Sequence, residues 1–453
     1  MSKEDTNNSS RRDFIKKTTL GAAGITIGAM GFSAKSYARI VGANNRLGVG
    51  VVGLGRRYSA YIPAIANEKN GVDLLYLCDV MKSQRERAAK HVSSKFGIKP
   101  KLEADFFNVI NDKDIDAVFL AIPDHWHAPG ALLAMANGKH VYVEKPISHN
   151  PYEGEMLVEA QKKYGKVVQM GNQQRSSLQS QEIIKEIHNG VIGNPYKAVA
   201  FYVNGRGRTP NQVKQAAPDG LDWDMWQGPA VHREYTHDTW NYNWHWYGWN
   251  YGTAETGNNA THELDIARWA LQVDYPDEVY VEAEKRQFLD DGWEMYDSMD
   301  ATFKFKGNKI IKWDGKSRNG YNTYGFGRGT IIYGSEGSVL VDRGHYKLFD
   351  RKGKFIKKSS ANTQESGTAL GGGGDLSTMH TTNFFETIRG KASKQNSPVD
   401  EGVKSTLLCH LANIAYRTDD LLKIDNTNGH IVNSKAAKKL WTREYEKGWE
   451  PKI

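Results

Sequence analysis

Val141-Tyr142-Val143 runs directly into Glu144-Lys145-Pro146, so an apolar run stops on a carboxylate, an amine and a proline. A β-branched, aromatic run of this length reads as a buried parallel strand. Pro146 has no N–H and ends the ladder. Lys145 therefore projects from the C-terminal end of a strand, the edge at which open α/β sheets bind ligands. A lysine there either pairs with Glu144 as structure or serves a reaction beside a cofactor. A second stretch, Asn258-Asn259-Ala260-Thr261-His262-Glu263-Leu264-Asp265, sets a histidine and an acid one turn apart on one helix face. Asn or Thr starts that helix. On its residues alone, a lone histidine such as His262 at a helix start is more often a cap or core residue than a catalyst.

Both stretches need elements to carry them. Arg46-Leu47-Gly48-Val49-Gly50-Val51-Val52 reads as a strand, and Gly53-Leu54-Gly55-Arg56-Arg57-Tyr58 follows at once. A helical pattern continues through Ala60, Ala64 and Ile65. The turn is G-x-G-x-x-G with Tyr58 at the third glycine. Gly53 permits the tight turn, and Gly55 lets the backbone approach a pyrophosphate at a helix N-terminus. Tyr58 implies a looser helix–strand approach or an aromatic contact with the cofactor. The next strand, residues 74–78, ends at Asp79. An acid there suits the adenosine ribose hydroxyls of NAD and opposes the 2′-phosphate of NADP. Asp79 also has the structural alternative of a helix N-cap, and Lys82 and Arg85 keep NADP as the second choice.

Residues 117–122 form a further strand that ends in Pro123-Asp124-His125-Trp126-His127, and a helix over 128–137 is closed by Gly138. Val167-Val168-Gln169-Met170-Gly171 is another strand, ending in Asn172-Gln173-Gln174-Arg175. Strands alternating with helices, each strand ending in polar residues, predict a doubly wound α/β sheet with its loops gathered at one edge. Beyond Ser176 the pattern changes. Residues 183–187 show one face of a helix that Asn189-Gly190 ends, and residues 196–203 alternate as a strand. Residues 204–257 are irregular and hold Trp223, Trp226, Trp240, Trp244, Trp246 and Trp249. A loop this long in a compact protein is usually functional. Flat rings with a polar edge suit the C–H faces of sugars, and they equally suit core packing. Trp244, His245 and Trp246 at its centre are the candidate substrate contacts, with core or interface the expectation for the other rings.

Residues 280–283, 299–305 and 309–313 alternate like antiparallel strands. Residues 330–333 and 338–341 read as a hairpin around Gly334-Ser335-Glu336-Gly337. Residues 359–374 are polar and end in four glycines, which predicts a mobile loop. Residues 380–388 and 404–416 read as amphipathic helices.

The chain has 453 residues, enough for two domains, and its apolar content of 39% allows a large core. Residues 1–38 carry Lys3, Arg11, Arg12, Lys16, Lys17 and Lys35 against Glu4, Asp5 and Asp13, which is 6 − 3 = +3 of the total net charge of +8. The remaining +5 is spread without a basic run, which argues against a nucleic-acid partner. Cys78 and Cys409 lie far apart in apolar segments, predicting two buried thiols, and no zinc spacing exists. At the N-terminus, Ser10-Arg11-Arg12-Asp13-Phe14-Ile15-Lys16 matches a twin-arginine export signal. A weakly apolar stretch follows, and Ser36-Tyr37-Ala38 fits a cleavage site. The expectation is a signal over 1–38, cleavage after Ala38, a periplasmic protein with no membrane span, and a cofactor loaded before export.

The glycine turn, Ala121-Ile122-Pro123-Asp124-His125-Trp126-His127, Val143-Glu144-Lys145-Pro146 and Gly171-Asn172-Gln173-Gln174-Arg175 occur in the order found in one family. From Arg46 to near the C-terminus the chain resembles the glucose–fructose oxidoreductase, inositol dehydrogenase and MocA (Gfo/Idh/MocA) family. The resemblance implies a Rossmann domain over 46–171. It implies a second α/β domain over 172–440, built on an open, mostly antiparallel sheet and joined into a homo-oligomer. It places Lys145 beside the nicotinamide and the reacting hydroxyl. It places Gly53, Gly55, Arg56, Arg57, Tyr58, Asp79, Pro123, Asp124, His127, Glu144, Asn172 and Gln173 around NAD, and Arg175 and His262 at the substrate. In the family a histidine at 262 works with the lysine, and an aspartate four residues earlier completes the set. Here that position is Asn258, which can orient an imidazole or bind a hydroxyl but supplies no charge. The expected activity is hydride transfer between NAD and a secondary hydroxyl of a sugar or glycoside, with His262 as base and Lys145 holding the oxygen. No metal is needed for that step. The alternative is an NAD-dependent glycoside hydrolase acting by oxidation and elimination, as in glycoside hydrolase family 109. The intact Lys145 and His262 argue against a non-enzymatic binding protein.

Overall fold

The computed structural model describes residues 46–237, 239–359, 374–392 and 395–453. The export signal and nearly all of the glycine-rich loop expected over 359–374 lie outside the described residues. Strands β1 (Leu47–Val52), β2 (Val72–Cys78), β3 (Lys101–Glu103), β4 (Ala117–Leu120), β5 (His140–Val143) and β6 (Val168–Met170) form a parallel sheet. Their order is β3-β2-β1-β4-β5-β6. Chain direction across the sheet reverses between β1 and β4, and that switch point opens the crevice in which such sheets bind ligands. β4 is buried throughout and β5 nearly so, as both-sided cover by helices requires.

The second sheet runs β15-β14-β13-β12-β7-β10-β9-β8-β16. Its members are β7 (Pro195–Gly205), β8 (Glu278–Glu284), β9 (Ser298–Phe305), β10 (Lys309–Lys316), β12 (Arg328–Gly334), β13 (Gly337–Val341), β14 (Tyr346–Asp350), β15 (Phe355–Lys358) and β16 (Leu422–Lys423). A short β11 (Arg318–Asn319) pairs with the end of β7. All these pairings are antiparallel except β7 with β10, which is parallel. The open, mostly antiparallel sheet is thus as expected. Helices Leu178–His188, Thr261–Leu271 and Val399–Thr418 bury one face of it around Ile183, Leu264, Phe303, Trp313 and Leu411. Tyr196 and Tyr280 stand exposed on its strands.

The two halves interlock. Phe384 and Phe385 of the helix Gly374–Ile388 pack against Phe119 and Tyr142 inside the first domain. Beyond residue 440, the tail returns to the first domain too. Trp449 meets Trp126 edge-on with ring centroids 5.2 Å apart, and Arg443 pairs with buried Glu153 at 2.8 Å. The helix after β4 starts at Asp124 rather than near 128, and it contains Pro129. Asp124 and His127 are therefore fixed in its first turn. Cys78 and Cys409 are buried free thiols.

Candidate active site

β1 ends in the glycine turn. Gly53 has φ +86°, and a Cβ there would lie 2.3 Å from the Ala121 carbonyl oxygen, so β1 and β4 meet only because the residue is glycine. A Cβ on Gly55 would meet nothing within 4 Å, which leaves room for a pyrophosphate against the main chain. The helix expected after the turn is short. A 3₁₀ turn, Tyr58–Ala60, leads into Ile62–Ile65, where Pro63 sits in the first turn. Asp79, at the end of β2, accepts from the Leu54 and Met81 amides at 2.6 and 2.8 Å. It faces the cavity beside the turn, where ribose hydroxyls would lie. Tyr58 does not face the cavity. Its ring packs in the core and its hydroxyl bonds His91 Nδ1 at 3.0 Å, so the third-glycine position is filled by packing rather than by a cofactor contact.

The question left open at Glu144-Lys145 resolves in geometry. Glu144 is buried and accepts from Arg57 Nε at 2.9 Å, Tyr61 Oη at 2.7 Å and Gln173 Nε2 at 3.1 Å. Burial works against its charge, yet Arg57 holds its carboxyl below the usual range. A Cβ on Gly171 would sit 2.7 Å from that carboxyl, so the glycine after β6 makes space for it. Glu144 is thus the partner of Arg57. The Lys145 amine reaches across to the second domain and donates to the Asn258 main-chain carbonyl. Burial lowers its pKa, with Asp124 and Glu144 opposing. Asp124 accepts from Thr253 Oγ1 at 2.5 Å, and burial pushes it up to about 6 against the pull of Thr253 and Lys145. His127 donates from Nδ1 to the Pro146 carbonyl at 2.6 Å, leaving its buried Nε2 without a partner beside the cavity. That orphaned acceptor suits an amide donor such as a nicotinamide carboxamide would bring.

Asn258 lies in a widened π turn, Thr256–Ala260, and His262 in the first turn of the helix Thr261–Leu271 into which it leads. π turns recur at functional sites because they displace residues from the regular ladder. Here a Cβ on Gly257 would meet Pro146 Cγ at 3.2 Å, so the turn packs directly on the Lys145-Pro146 corner. Asn258 does not orient the imidazole. Its side-chain amide donates to Glu255 at 3.4 Å, and its contribution at Lys145 is the main-chain carbonyl. His262 Nδ1 is buried with no hydrogen-bond partner. Burial first, then the charges of Arg343, Lys145 and Arg328, hold this ring well below the usual histidine range. It is a neutral imidazole at neutral pH.

Asp265, one turn on, faces away from the cavity and takes Arg175. Arg175 Nε and Nη2 donate to its two oxygens at 2.7 and 2.9 Å, and Nη2 also reaches Glu401 at 3.2 Å. Arg175 therefore does not line the cavity as a substrate contact. It is a buried bidentate clamp, placed there because it follows the turn out of β6. Removing one partner of such a pair strands the other charge. Arg175→Met is expected to cost about 3–5 kcal/mol of stability, read as a lowered unfolding midpoint with ligand affinity unchanged in the folded fraction. Asn172 is also buried but off the cavity lining, its side-chain amide unpartnered.

The cavity between the domains measures about 520 Å³, within the usual range for small-molecule sites. Gly53, Gly55, Arg56, Arg57, Asp79, Pro123, Asp124, His127, Glu144 and Lys145 line its first-domain wall, joined by Gln173 from the turn after β6. Asn258, His262, Trp244 and His245 line the opposite wall. Trp244 and His245 stack with centroids 3.5 Å apart. Trp246 is turned away and stacks on Trp293 at 3.9 Å in the core, which corrects its expected place at the substrate. Sequence reasoning missed Tyr202, Asn204 and Arg206, which line the cavity from the end of β7. Their i, i+2, i+4 spacing on one strand face was the available signal. Arg328 and Arg343, at the same end of the β12–β13 hairpin, were also missed.

The first domain matches the oxidoreductase family model described as Gfo/Idh/MocA, NAD-binding Rossmann fold, over residues 47–172. The remainder matches the C-terminal α/β domain of the same family over residues 176–451. Inositol 2-dehydrogenase of Salmonella typhimurium is 28% identical over 185 residues, 40% of this chain and 54% of that protein. A glycosyl hydrolase family 109 protein of Saccharopolyspora erythraea is 28% identical over 241 residues, 48% of this chain and 52% of that protein. The chain thus spans about half the length of the curated relatives it matches. Among solved structures, the WlbA dehydrogenase from Bordetella pertussis, in complex with NADH and UDP-GlcNAcA, superposes with a TM-score of 0.60. That match covers 84% of this chain and 99% of that one at 18% identity, a likeness of fold. The two family matches together take in nearly all of the described residues. The chain belongs to the Gfo/Idh/MocA oxidoreductase family, and its first domain is the NAD-binding Rossmann domain.

Proposed function

We propose that the protein is an NAD-dependent oxidoreductase that oxidises or reduces a secondary hydroxyl of a sugar or glycoside. The observation that carries this reading is the convergence of Lys145, from the end of β5, and His262, from the second domain, on one cavity lined by the glycine turn and Asp79. Bound NAD supplies the two-electron acceptor. The neutral His262 takes the hydroxyl proton as the carbon–hydrogen bond is broken, and a carbonyl results. Lys145 donates to the same oxygen and stabilises its developing negative charge. Glu144, held by Arg57, keeps the cofactor-side wall fixed, and the Asn258 carbonyl aims the amine. Trp244 and His245 offer a stacked apolar face with polar edges to the sugar ring. The experiment is incubation of the NAD-loaded protein with a panel of sugars and glycosides while following reduced NAD and sugar products. A keto-sugar formed with reduced NAD supports this reading. No change with any member of a broad panel sinks it.

A second reading, oxidation followed by elimination across a glycosidic bond, draws on the likeness to the family 109 protein. Its outcome in the same assay is free aglycone with no net reduction of NAD.

The proposal includes export. Arg11 and Arg12 precede an apolar stretch and a cleavage site. Arg11→Lys with Arg12→Lys is expected to hold the protein in the cytoplasm with its signal uncleaved, read by fractionation and mass spectrometry. Cleaved protein outside the cytoplasm would overturn this part. It also includes a homo-oligomer that covers the open sheet face bearing Tyr280, read by sedimentation velocity, with a monomer as the contrary result.

A further inference from the structure

Arg56, exposed and laid over the Tyr242 ring at 4.3 Å, has no ion pair among the described residues, and of the other guanidiniums lining the cavity all but one are matched by anions. Arg57 pairs with Glu144 at 2.9 Å, Arg206 with Glu255 at 3.3 Å, and Arg328 with Glu263 at 2.7 Å. Lys145 donates to the Asn258 carbonyl and faces Asp124. Arg343 has no ion pair among the described residues, and its buried Nε has no hydrogen-bond partner. It stands in the turn between β13 and β14. The acid beside it, Asp342, is committed to the Gly344 and His345 amides at 2.9 and 2.6 Å. Burial and then the like charge of Arg328 push Arg343 down to about 9, so it stays protonated at neutral pH. It lines the same cavity as His262 and Lys145, and its charge acts on both.

The cofactor does not supply the missing anion. Both pyrophosphate charges of NAD belong at the glycine turn, where Gly55 is open and Arg56 is exposed. The oxidised nicotinamide ring, at the Lys145 end, is itself positive. Binding NAD therefore adds positive charge beside Lys145 and Arg343. The Arg343 guanidinium is half-buried, with its Nε shut off from water and unpaired, and its planar fork of donors is complementary to a carboxylate.

We infer that the substrate is a sugar acid, whose carboxylate is bound by Arg343 near the carbon that reacts. This rests on the oxidoreductase reading above and names its substrate class. Arg343 is then a specificity-determining residue, and neutral sugars are the poorer ligands.

The test is a titration of the NADH-loaded protein, in which no oxidation of the sugar occurs. The probes are methyl uronides paired with their parent methyl hexosides in the gluco, galacto and manno series. A 6-O-sulfated hexoside is added for each. At least one uronide is expected to bind about tenfold or more tighter than its parent, the size of one charge-assisted contact. Arg343→Gln is expected to bring that pair to within about twofold, and Arg343→Lys to keep part of the preference. Arg343 makes no hydrogen bond that holds the fold, so an unchanged melting midpoint is expected for both variants. No uronide preference in any series, a preference that survives Arg343→Gln, or a preference for the sulfated sugars alone overturns the inference. A uronide preference that lapses in Arg343→Gln stands even if no sugar reduces NAD. Reduction of NAD by neutral sugars without that preference leaves the oxidoreductase reading in place and removes this one.

Discussion

Lys145→Met is expected to lower turnover by about 10³-fold or more while NAD stays bound. The amine is the donor aimed at the reacting oxygen, and no other amine lines the cavity among the described residues. Methionine fills the same stem without a charge or a donor. The cofactor wall does not depend on Lys145, because Glu144 is held by Arg57, Tyr61 and Gln173. Gly53, Gly55 and Asp79 follow β1 and β2, whereas Lys145 follows β5. Loss of the amine also removes the cation that opposes burial at Asp124, whose carboxyl then moves further above about 6. The fold is expected to tolerate this, since an acid that takes up a proton is no longer a buried charge. Turnover is read from reduced NAD with a reactive sugar, and NAD binding from calorimetry. Turnover near that of the wild type would remove Lys145 from the mechanism. Loss of NAD binding would make it a cofactor anchor.

Acid should unfold the protein well before its carboxylates titrate. His125, His127, His380 and His410 are buried, and burial lowers them from 6.5 to about 3, 4, 4 and 3. His245 and His262 are buried and held well below 6.5 for the same leading reason. Above pH 6.5 these rings are neutral in both folded and unfolded chains, and their contribution is fully present. As pH falls through 6.5, the unfolded chain takes up protons that the folded chain refuses until about pH 4 or 3. Each ring then costs about 1.4 kcal/mol per pH unit. His125, His127, His380 and His410 together amount to a loss on the order of 10 kcal/mol between pH 6.5 and 4.5. That equals the whole stability of an ordinary domain. Asp124 acts in the opposite sense, since its folded-state value near 6 lets the native state take a proton as pH falls. One carboxyl taking one proton over the narrower window below about 6 offsets less than one ring. The unfolding midpoint is expected to drop steeply from pH 7 to 4.5, and a flat profile over that interval would show the rings to be hydrated.

How much of this was legible in the sequence depends on how local each signal is. The parallel sheet was, because β1, β2, β4, β5 and β6 are apolar runs bounded by polar ends, and period and punctuation are properties of neighbouring residues. The place of Lys145 and Asp79 at strand ends followed from the same reading. Tyr58 was not legible, because its choice between cofactor and core depends on His91, distant along the chain. Arg175 and Trp246 failed for the same reason. A clamp on Asp265 and a stack on Trp293 are partnerships formed only when the second domain closes. Arg328 and Arg343 carry no motif at all. Their meaning lies in the count of charges around a cavity, and that count needs coordinates.

The lysine that crosses to the second domain is anchored by a main-chain oxygen. Every amino acid carries that oxygen, so the identity of residue 258 is decoupled from the anchor it provides. A scan of side chains at that position is blind to it, and comparison of chains by residue identity passes over it. What selection can act upon is the shape of the turn: Gly257, which admits Pro146 at contact distance, and the extra residue that opens the helix there. An asparagine standing where an acid was expected leaves that anchor untouched, because the anchor is main chain while the side chain turns to Glu255.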